Sequence, residues 1–203
     1  MDPLDVPEDA VADLDGRRQR SIKTRELVVD ALLDLLRENG EQPSAQEVAD
    51  RAGVSLRTVF RLFDDVESLL ATAVAHQVAR VGPLFAPIEV EGPLPVRVEA
   101  LVRRREALFE EIAPVRRAAL QRSGHLVIRQ WLDESHGHLR QQITTLFVHE
   151  LEALPERQRR TVLDALDVMS GWSAWDSLRT EQGLGADAAR AVVTHTITQL
   201  LQA

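Results

Sequence analysis

Apolar side chains recur along this sequence at intervals of three and four residues, the spacing that places them on one face of an α-helix. The alternating pattern of a β-strand is not found. The spacing predicts an all-α fold of about nine helices, over residues 24–39, 44–51, 56–63, 65–81, 96–112, 114–123, 126–153, 157–180 and 186–201. A loop rich in proline and glycine, over residues 82–95, separates the fourth predicted helix from the fifth.

Residues 43–63 predict two short helices joined by a tight turn. Ser44 and Ser55 are of the type that caps helix N-termini, and Gly53 between them favours the left-handed backbone conformation that ends a helix. A turn of three or four residues that contains glycine is typical of a helix-turn-helix motif. The sequence therefore predicts this motif, with its second helix beginning just after Ser55.

The second helix of the motif has an apolar side and a basic side. The apolar face predicted from the spacing consists of Leu56, Val59, Phe60 and Phe63. A helix held by such a face, with arginines opposite, fits the major groove of DNA. The residues predicted to contact bases or phosphates are Arg57 and Arg61, with Thr58, Ser44 and Ser55 on the DNA backbone. The alternative is a helical hairpin whose arginines are simply solvated.

The run from Ile22 to Leu70 resembles the N-terminal domain of the TetR family of bacterial transcriptional regulators. The resemblance rests on Asn-Gly at 39–40, Glu-Val-Ala at 47–49, Ala-Gly-Val-Ser at 52–55, Thr-Val-Phe at 58–60, Phe63, and Leu-Leu at 69–70. The family usually has tyrosine, histidine and lysine where this chain has Phe60, Leu62 and Val66. Because those family residues touch DNA phosphates, Arg57 and Arg61 have to supply more of that contact, and Phe60 is counted with the DNA-binding candidates.

The resemblance extends to the nine-helix layout, and it implies a homodimer in which helices eight and nine of two subunits form a four-helix bundle. The residues themselves give separate support, because helix nine has a wide apolar stripe and helix eight carries two tryptophans. The side chains predicted at the dimer interface are Trp172, Trp175, Val193, Ile197 and Leu200. The alternative is that both tryptophans belong to the core of one subunit.

Composition and charge narrow the classes of function. The 203 residues include no cysteine, which excludes disulfides and thiolate chemistry. The net charge of −8 is divided unevenly: residues 17–63 hold 9 Arg and Lys against 7 Asp and Glu, or +2, and the remainder holds 15 against 25, or −10. The positive charge therefore lies with the predicted motif. Since no run is apolar enough for a membrane span or a signal peptide, we expect a cytoplasmic protein with no membrane partner.

Two segments of opposite charge precede the first predicted helix. Residues 1–15 are rich in acidic residues and proline, a composition that predicts disorder. Arg18, Arg20 and Lys23 follow in a basic arm, which either contacts DNA phosphates or the minor groove, or is a solvated tether. The predicted division is a disordered tail and arm at 1–20, a DNA-binding domain at 21–65, and an effector-binding and dimerisation domain at 66–203.

Motifs for catalysis or metal binding are incomplete in this sequence. His136 and His138 lie two positions apart and so point to different sides of a helix. His149 with Glu150 begins like a zinc-protease motif, but Ala153 stands where the second histidine is needed. We therefore predict no metal site, no cofactor and no enzymatic activity.

A pocket for a small apolar effector is predicted among helices five to eight, because helical bundles house such pockets between their helices. The candidate lining residues are Leu108, Phe109, Trp131, Phe147 and Met169, with His125 and His136 as polar partners. By spacing alone, the same residues are simply core positions.

These observations favour a DNA-binding regulator, most simply a repressor that a small effector releases from a near-palindromic operator by moving helix four. One alternative is a ligand-independent dimeric DNA-binding protein whose C-terminal domain serves only dimerisation. Another is a helical enzyme with an added DNA-binding segment.

Overall fold

The computed structural model describes residues 8–39, 43–120 and 126–202. Over these ranges the chain is all-α, as predicted, and contains ten α-helices and one short 3₁₀-helix. The α-helices are α1 (Glu8–Asn39), α2 (Ala45–Ala52), α3 (Leu56–Leu62), α4 (Val66–Val81), α5 (Leu94–Leu120), α6 (Leu126–Leu146), α7 (Val148–Glu152), α8 (Glu156–Met169), α9 (Trp172–Thr180) and α10 (Ala186–Gln202), and the 3₁₀-helix is Gly82–Phe85. No helix over these ranges is long and apolar enough to cross a bilayer.

The first helix begins earlier than the sequence predicts, at Glu8 instead of residue 24. Residues 8–15, expected to be disordered, are therefore helical, and residues 1–7 lie outside the described ranges. The physical reason is that Val28, Leu32 and Leu36 are buried and fix the helix further along, so each added turn needs propagation but no new nucleus. Acidic residues near the N-terminus also interact favourably with the helix dipole.

The predicted helix-turn-helix is confirmed in its caps and its turn. The Ser44 hydroxyl accepts the backbone N–H of Glu47, and the Glu47 carboxylate accepts the backbone N–H of Ser44 at 2.7 Å, which together form a capping box. Gly53 ends α2 in the left-handed conformation, with φ +67°. Ser55 caps α3 by accepting the backbone N–H of Thr58 at 3.1 Å. The turn therefore fixes the angle at which α3 leaves the domain.

Helix α4 joins the N-terminal helices to the rest of the chain. Asp65 caps it by accepting the backbone N–H of Ser68 at 2.6 Å, as predicted. Leu69, Leu70 and Ala73 are buried where α4 packs against α1 and α5. Helix α4 therefore contacts both the first helix, α1, and the next α-helix, α5.

Three helix boundaries in the C-terminal half differ from the predicted ones. Pro114 was expected to begin a new helix, but α5 runs through it, since Ile112 and Val115 on either side are buried and hold the segment against the core. The helix predicted over 157–180 is divided into α8 and α9 at Gly171, whose backbone is extended (φ −87°, ψ 169°). The helix predicted over 126–153 is likewise divided into α6 and α7 at Phe147.

Candidate functional site

Helix α3 presents an exposed surface made by Arg57, Phe60 and Arg61. Neither arginine makes a hydrogen bond or an ion pair with any residue whose side chain is described. Phe60 is 49% exposed, so its predicted place on the buried face is wrong. The buried side is centred on Val59 and Phe63, and helical rotation from that axis turns Phe60 outward.

The hydroxyl groups predicted to contact the DNA backbone are already used in helix capping. The Ser44 hydroxyl lies 2.7 Å from a carboxylate oxygen of Glu47, and the Ser55 hydroxyl lies 2.9 Å from that of Thr58. Ser44 and Ser55 are exposed and Thr58 is half-buried. These side chains therefore orient the ends of α2 and α3, beside the arginine surface.

Arg18, Arg20 and Lys23, the predicted basic arm, are exposed on α1. They lie on the continuous first helix, so the arm is an extension of a folded element. With Arg57 and Arg61 they place five exposed cationic side chains on α1 and α3, where a polyanion could neutralise them.

Sequence analysis missed the role of Arg25, which locks α1 onto the helix-turn-helix. Its guanidinium donates to the backbone carbonyl of Leu62 at 2.7 Å and to the hydroxyl of Thr72 at 3.2 Å. The same group lies 4.3 Å from the centre of the Phe63 ring, in cation–π contact. In the sequence Arg25 looked like one more member of the basic run. Its contacts fix the C-terminal end of α3 and so the direction of the exposed arginines.

Arg51 on α2, in contrast to Arg57 and Arg61, is neutralised by a carboxylate. Its guanidinium forms two hydrogen bonds with the carboxylate of Glu38, at 2.9 and 2.5 Å. The hydrogen bond from Arg51 holds the pKa of Glu38 below its usual value. Arg57 and Arg61 have no such carboxylate, which leaves their charge available to an external anion.

The predicted effector residues do not come together as one lining. Leu108, Phe109 and Phe147 are fully buried core residues. His136 is exposed on α6 and lies 2.9 Å from a carboxylate oxygen of Asp167. Met169 is half-buried, Trp131 is buried, and His125 lies outside the described ranges.

Of the predicted lining residues, Trp131 borders two cavities that lie between α4 and α6. One has a volume of about 260 Å³ and is lined by Val74, Ala75, Val78, Gln130, Trp131 and Glu134. A second, of about 210 Å³, shares Val78, Trp131 and Glu134 and extends to Phe85, Ser135 and His138. A larger groove of about 910 Å³ lies between residues 87–92, the C-terminal end of α6 and the start of α7. The sequence missed Val74 and Val78 as lining residues, because their spacing indicated only core.

Buried polar residues connect the helices around these cavities. Arg105 is 1% exposed and donates to the amide oxygen of Gln142 and to the backbone carbonyl of Leu139. The amide nitrogen of Gln142 donates to the carbonyls of Leu84 and Ala86, just after α4. Burial lowers the pKa of Arg105 to about 9, so it remains charged at neutral pH.

Four of the five predicted dimer-interface residues are core residues of the single chain. Trp172 packs edge-on against Phe109, with ring centres 5.8 Å apart. The indole N–H of Trp175 donates to Glu110 at 3.0 Å. Trp172, Trp175, Val193 and Ile197 are all buried, and Leu200 is half-buried. The prediction was wrong for these four residues because α10 packs against α5 and α8 of its own chain, which covers the apolar surface. The spacing of apolar residues does not show which helices pack together.

The architecture is a helix-turn-helix that α4 connects to the remaining helices of the chain. No family model matches the chain, and no curated protein sequence matches it. Solved structures do match. A transcriptional regulator from Rhodococcus sp. Rha1 superposes with a TM-score of 0.67 and 21% identity, over 88% of this chain and 96% of that one. A TetR-family transcriptional regulator from Streptomyces coelicolor also has a TM-score of 0.67, with 18% identity, over 88% of this chain and 80% of that one.

A third match is EbrR, described as a multidrug-binding protein and solved in complex with imidazole. It has a TM-score of 0.50 and 19% identity, over 85% of this chain and 94% of that one. The chain therefore has the fold of the TetR-family transcriptional regulators, as the resemblance in its N-terminal residues implied.

Proposed function

We propose that this chain is a dimeric DNA-binding transcriptional regulator, a repressor that a small effector releases from a near-palindromic operator. The observation that carries the proposal is the exposed pair Arg57 and Arg61 on α3, which has no counter-charge among the described side chains. Cations placed on one face of the second helix of a helix-turn-helix are positioned to meet a polyanion.

In this proposal α3 enters the major groove. Arg57 and Arg61 donate to base edges or phosphates, and Phe60 between them makes apolar contact. Arg18, Arg20 and Lys23 on α1 add contacts to phosphates. In a dimer the two copies of α3 would lie about 34–36 Å apart, one turn of DNA, so the two half-sites are expected at that spacing.

Effector binding would act through α4. Val74 and Val78 of α4 line the cavities beside Trp131, and α4 also packs against α1. A ligand that enlarges these cavities would displace α4 and change the separation of the two reading helices. EbrR, which has the same overall fold, was solved with imidazole bound, and this supports the idea that the fold accommodates small molecules. Linkage requires that such a ligand bind less tightly to the DNA complex than to free protein.

A dimer is supported by apolar side chains that the single chain leaves uncovered. Val168 on α8 is 67% exposed and Val192 on α10 is 38% exposed, with half-buried Leu200 further along α10. We therefore assign Val168, Val192 and Leu200, in place of the buried tryptophans, to the proposed dimer interface, called the seam below. The alternative is a dimer whose C-terminal domain serves only association, which the tight packing of Leu108, Phe109 and Phe147 favours.

The proposal is tested by selecting bound duplexes from a random pool with the full-length protein. We expect a near-palindromic consensus that is bound at physiological salt. Recovery of sequences no better than the starting pool would contradict the proposal. For the alternative, the selected duplex is titrated with small molecules that bind the free protein, and release by any of them would exclude a ligand-independent regulator.

A further inference from the structure

Arg116 on α5 is a half-buried arginine that has no hydrogen-bond acceptor and no ionic partner among the described residues. Its side chain makes no hydrogen bond and no ion pair with the residues that the structure describes, and its Nε atom is buried. The next residue, Arg117, is in contrast held by the Asp176 carboxylate at 3.0 and 2.7 Å. Arg97, Arg140, Arg179 and Arg190 also have carboxylate partners. The half-buried guanidinium of Arg116 therefore has no acceptor of its own and is available to an external one.

Two tryptophan rings surround this guanidinium. Its central carbon lies 5.7 Å from the centre of the Trp131 ring and 5.6 Å from that of the Trp172 ring. Cation–π contacts of this kind compensate part of the lost hydration, but an aromatic ring accepts no full hydrogen bond from the guanidinium edge. Burial lowers the pKa of Arg116 to about 10, which still leaves the group charged at neutral pH. The rings therefore hold a charged group in place without neutralising it.

A second donor without an acceptor lies beside the first. The indole Nε1 atom of Trp131 is buried and has no hydrogen-bond partner. Buried donors are nearly always paired in folded proteins, so two orphans at one place indicate an acceptor that binds there. Trp131 also borders the cavities of about 260 and 210 Å³ between α4 and α6.

We propose that Arg116 and the indole N–H of Trp131 bind the carboxylate of a small aromatic acid, whose ring lies against Trp131 and Trp172 or in the adjoining cavity. This inference names the chemical class of the effector, so its regulatory part rests on the proposed function. A carboxylate supplies both the charge and the acceptor oxygens that these donors lack. A single ring fits, because a cavity of about 150 Å³ already holds benzene.

The surroundings set a limit on the net charge of the ligand. Glu134 lines both cavities from its exposed position on α6 and would repel a second anionic group at that end. A mono-acid with an uncharged far end satisfies Arg116 without meeting Glu134. A dicarboxylate of the same size should therefore bind less well than the mono-acid.

The test uses the full-length protein without DNA, with phenylacetate and 1-naphthoate as probes and their primary amides as uncharged counterparts. Calorimetry gives the affinities and tryptophan fluorescence reports on the rings beside Arg116. We expect each acid to bind at least about tenfold more tightly than its amide, or about 1.4 kcal/mol. Arg116→Gln should abolish this preference, and Arg116→Lys, which restores the charge, should recover part of it.

Arg103→Gln is the matched control, because it removes an exposed charge from the same helix. It should leave the preference for the acids unchanged. Without ligand, Arg116→Gln should be at least as stable to heat as the wild type, because it removes a half-buried charge that has no ionic partner. No measurable binding of either acid, equal binding of acid and amide, or a preference that survives in Arg116→Gln would each overturn the inference. So would a loss of stability in Arg116→Gln larger than that in Arg103→Gln, since Arg116 would then be structural.

Binding to the duplex selected from the random pool, measured without any acid, separates this inference from the proposed function. If duplex binding is sequence-specific but no acid preference exists, only the carboxylate site is wrong. If the acids bind through Arg116 but no duplex is selected, the site stands and the regulatory role is wrong.

Discussion

The guanidinium of Arg105 donates a hydrogen bond of 2.5 Å to the amide oxygen of Gln142. The Gln142 amide nitrogen in turn lies 3.0 Å from the backbone carbonyl oxygen of Leu84 and also donates to that of Ala86. One side chain of α6 thus joins a buried charge on α5 to the turn that follows α4. Because the amide is satisfied at both ends, this chain of hydrogen bonds fixes where α4 ends relative to the C-terminal helices.

Gln142→Leu should destabilise the protein by about 1–3 kcal/mol, because it leaves the buried Arg105 guanidinium without its side-chain acceptor. The double variant Arg105→Met with Gln142→Leu should be more stable than the single one, since both ends of the interaction are then apolar. Urea denaturation measures both. Gln141→Leu, a change at an exposed neighbouring position on α6, is the control and should have little effect. Equal stability of Gln142→Leu and Gln141→Leu would show that the buried pair does not stabilise the fold.

Arg25→Met should weaken DNA binding although we assign Arg25 no contact with DNA. The change removes the hydrogen bond to Leu62 and the cation–π contact with Phe63, together worth about 1–2 kcal/mol. Thermal unfolding should register the loss, and affinity for the selected duplex should fall because α3 is no longer held in one direction. Arg37→Met, on the same helix, removes an exposed ion pair with Asp34 and is the control. An Arg25→Met protein with wild-type stability would contradict this role.

Val168→Glu combined with Val192→Glu should convert the dimer into monomers, because each change buries a charge in the proposed seam. Sedimentation velocity measures the mass directly. Val96→Glu is the control, since Val96 is 47% exposed on α5 and lies outside the seam. Val96→Glu should remain dimeric. A wild-type protein that sediments as a monomer, or a double variant that stays dimeric, would remove these valines from the interface.

Stability should fall in acid through the pair formed by Arg97 and Glu150. Hydrogen bonds from Arg97 hold the pKa of Glu150 below its usual value of 4.5. Its stabilising contribution is therefore complete above 4.5 and is lost as the pH falls through the lowered value. Urea denaturation at several pH values should show a weaker acid dependence in Glu150→Gln than in the wild type. Glu152→Gln, at an exposed position on α7, should retain the wild-type dependence, and an identical profile for both variants would contradict the assignment.

Local chemistry made the N-terminal elements predictable from sequence. Ser44, Gly53, Ser55 and Asp65 act within three or four residues of their partners, so the caps and the turn of the helix-turn-helix could be read directly. The start of α1 could not be predicted in this way. The acidic composition of the segment indicates disorder, but a helix whose later turns are packed can propagate into such a segment. The division at Gly171 depends on a close approach to the carbonyl of Asp167, where a Cβ atom would lie at 2.8 Å.

The candidate sites were predictable only in part for a related reason. Spacing identified which side chains are apolar, but it could not tell a core residue such as Trp175 from one that faces a second subunit. Arg25, Arg105 and Arg116 were missed because their roles depend on partners, or on missing partners, that lie far along the chain. The exposure of Arg57 and Arg61 was predictable because it follows from helix geometry alone.

The most direct test of the whole account is the affinity of Arg57→Ala and Arg61→Ala for the selected duplex, measured against a scrambled duplex. Each arginine contact with a base is worth about 1–3 kcal/mol of discrimination, so each variant should lose about tenfold or more in specific affinity at unchanged stability. Arg37→Ala, which removes an exposed arginine of α1, should bind as the wild type does. If both α3 variants bind the selected duplex as tightly and as selectively as the wild type, α3 is not the element that reads DNA.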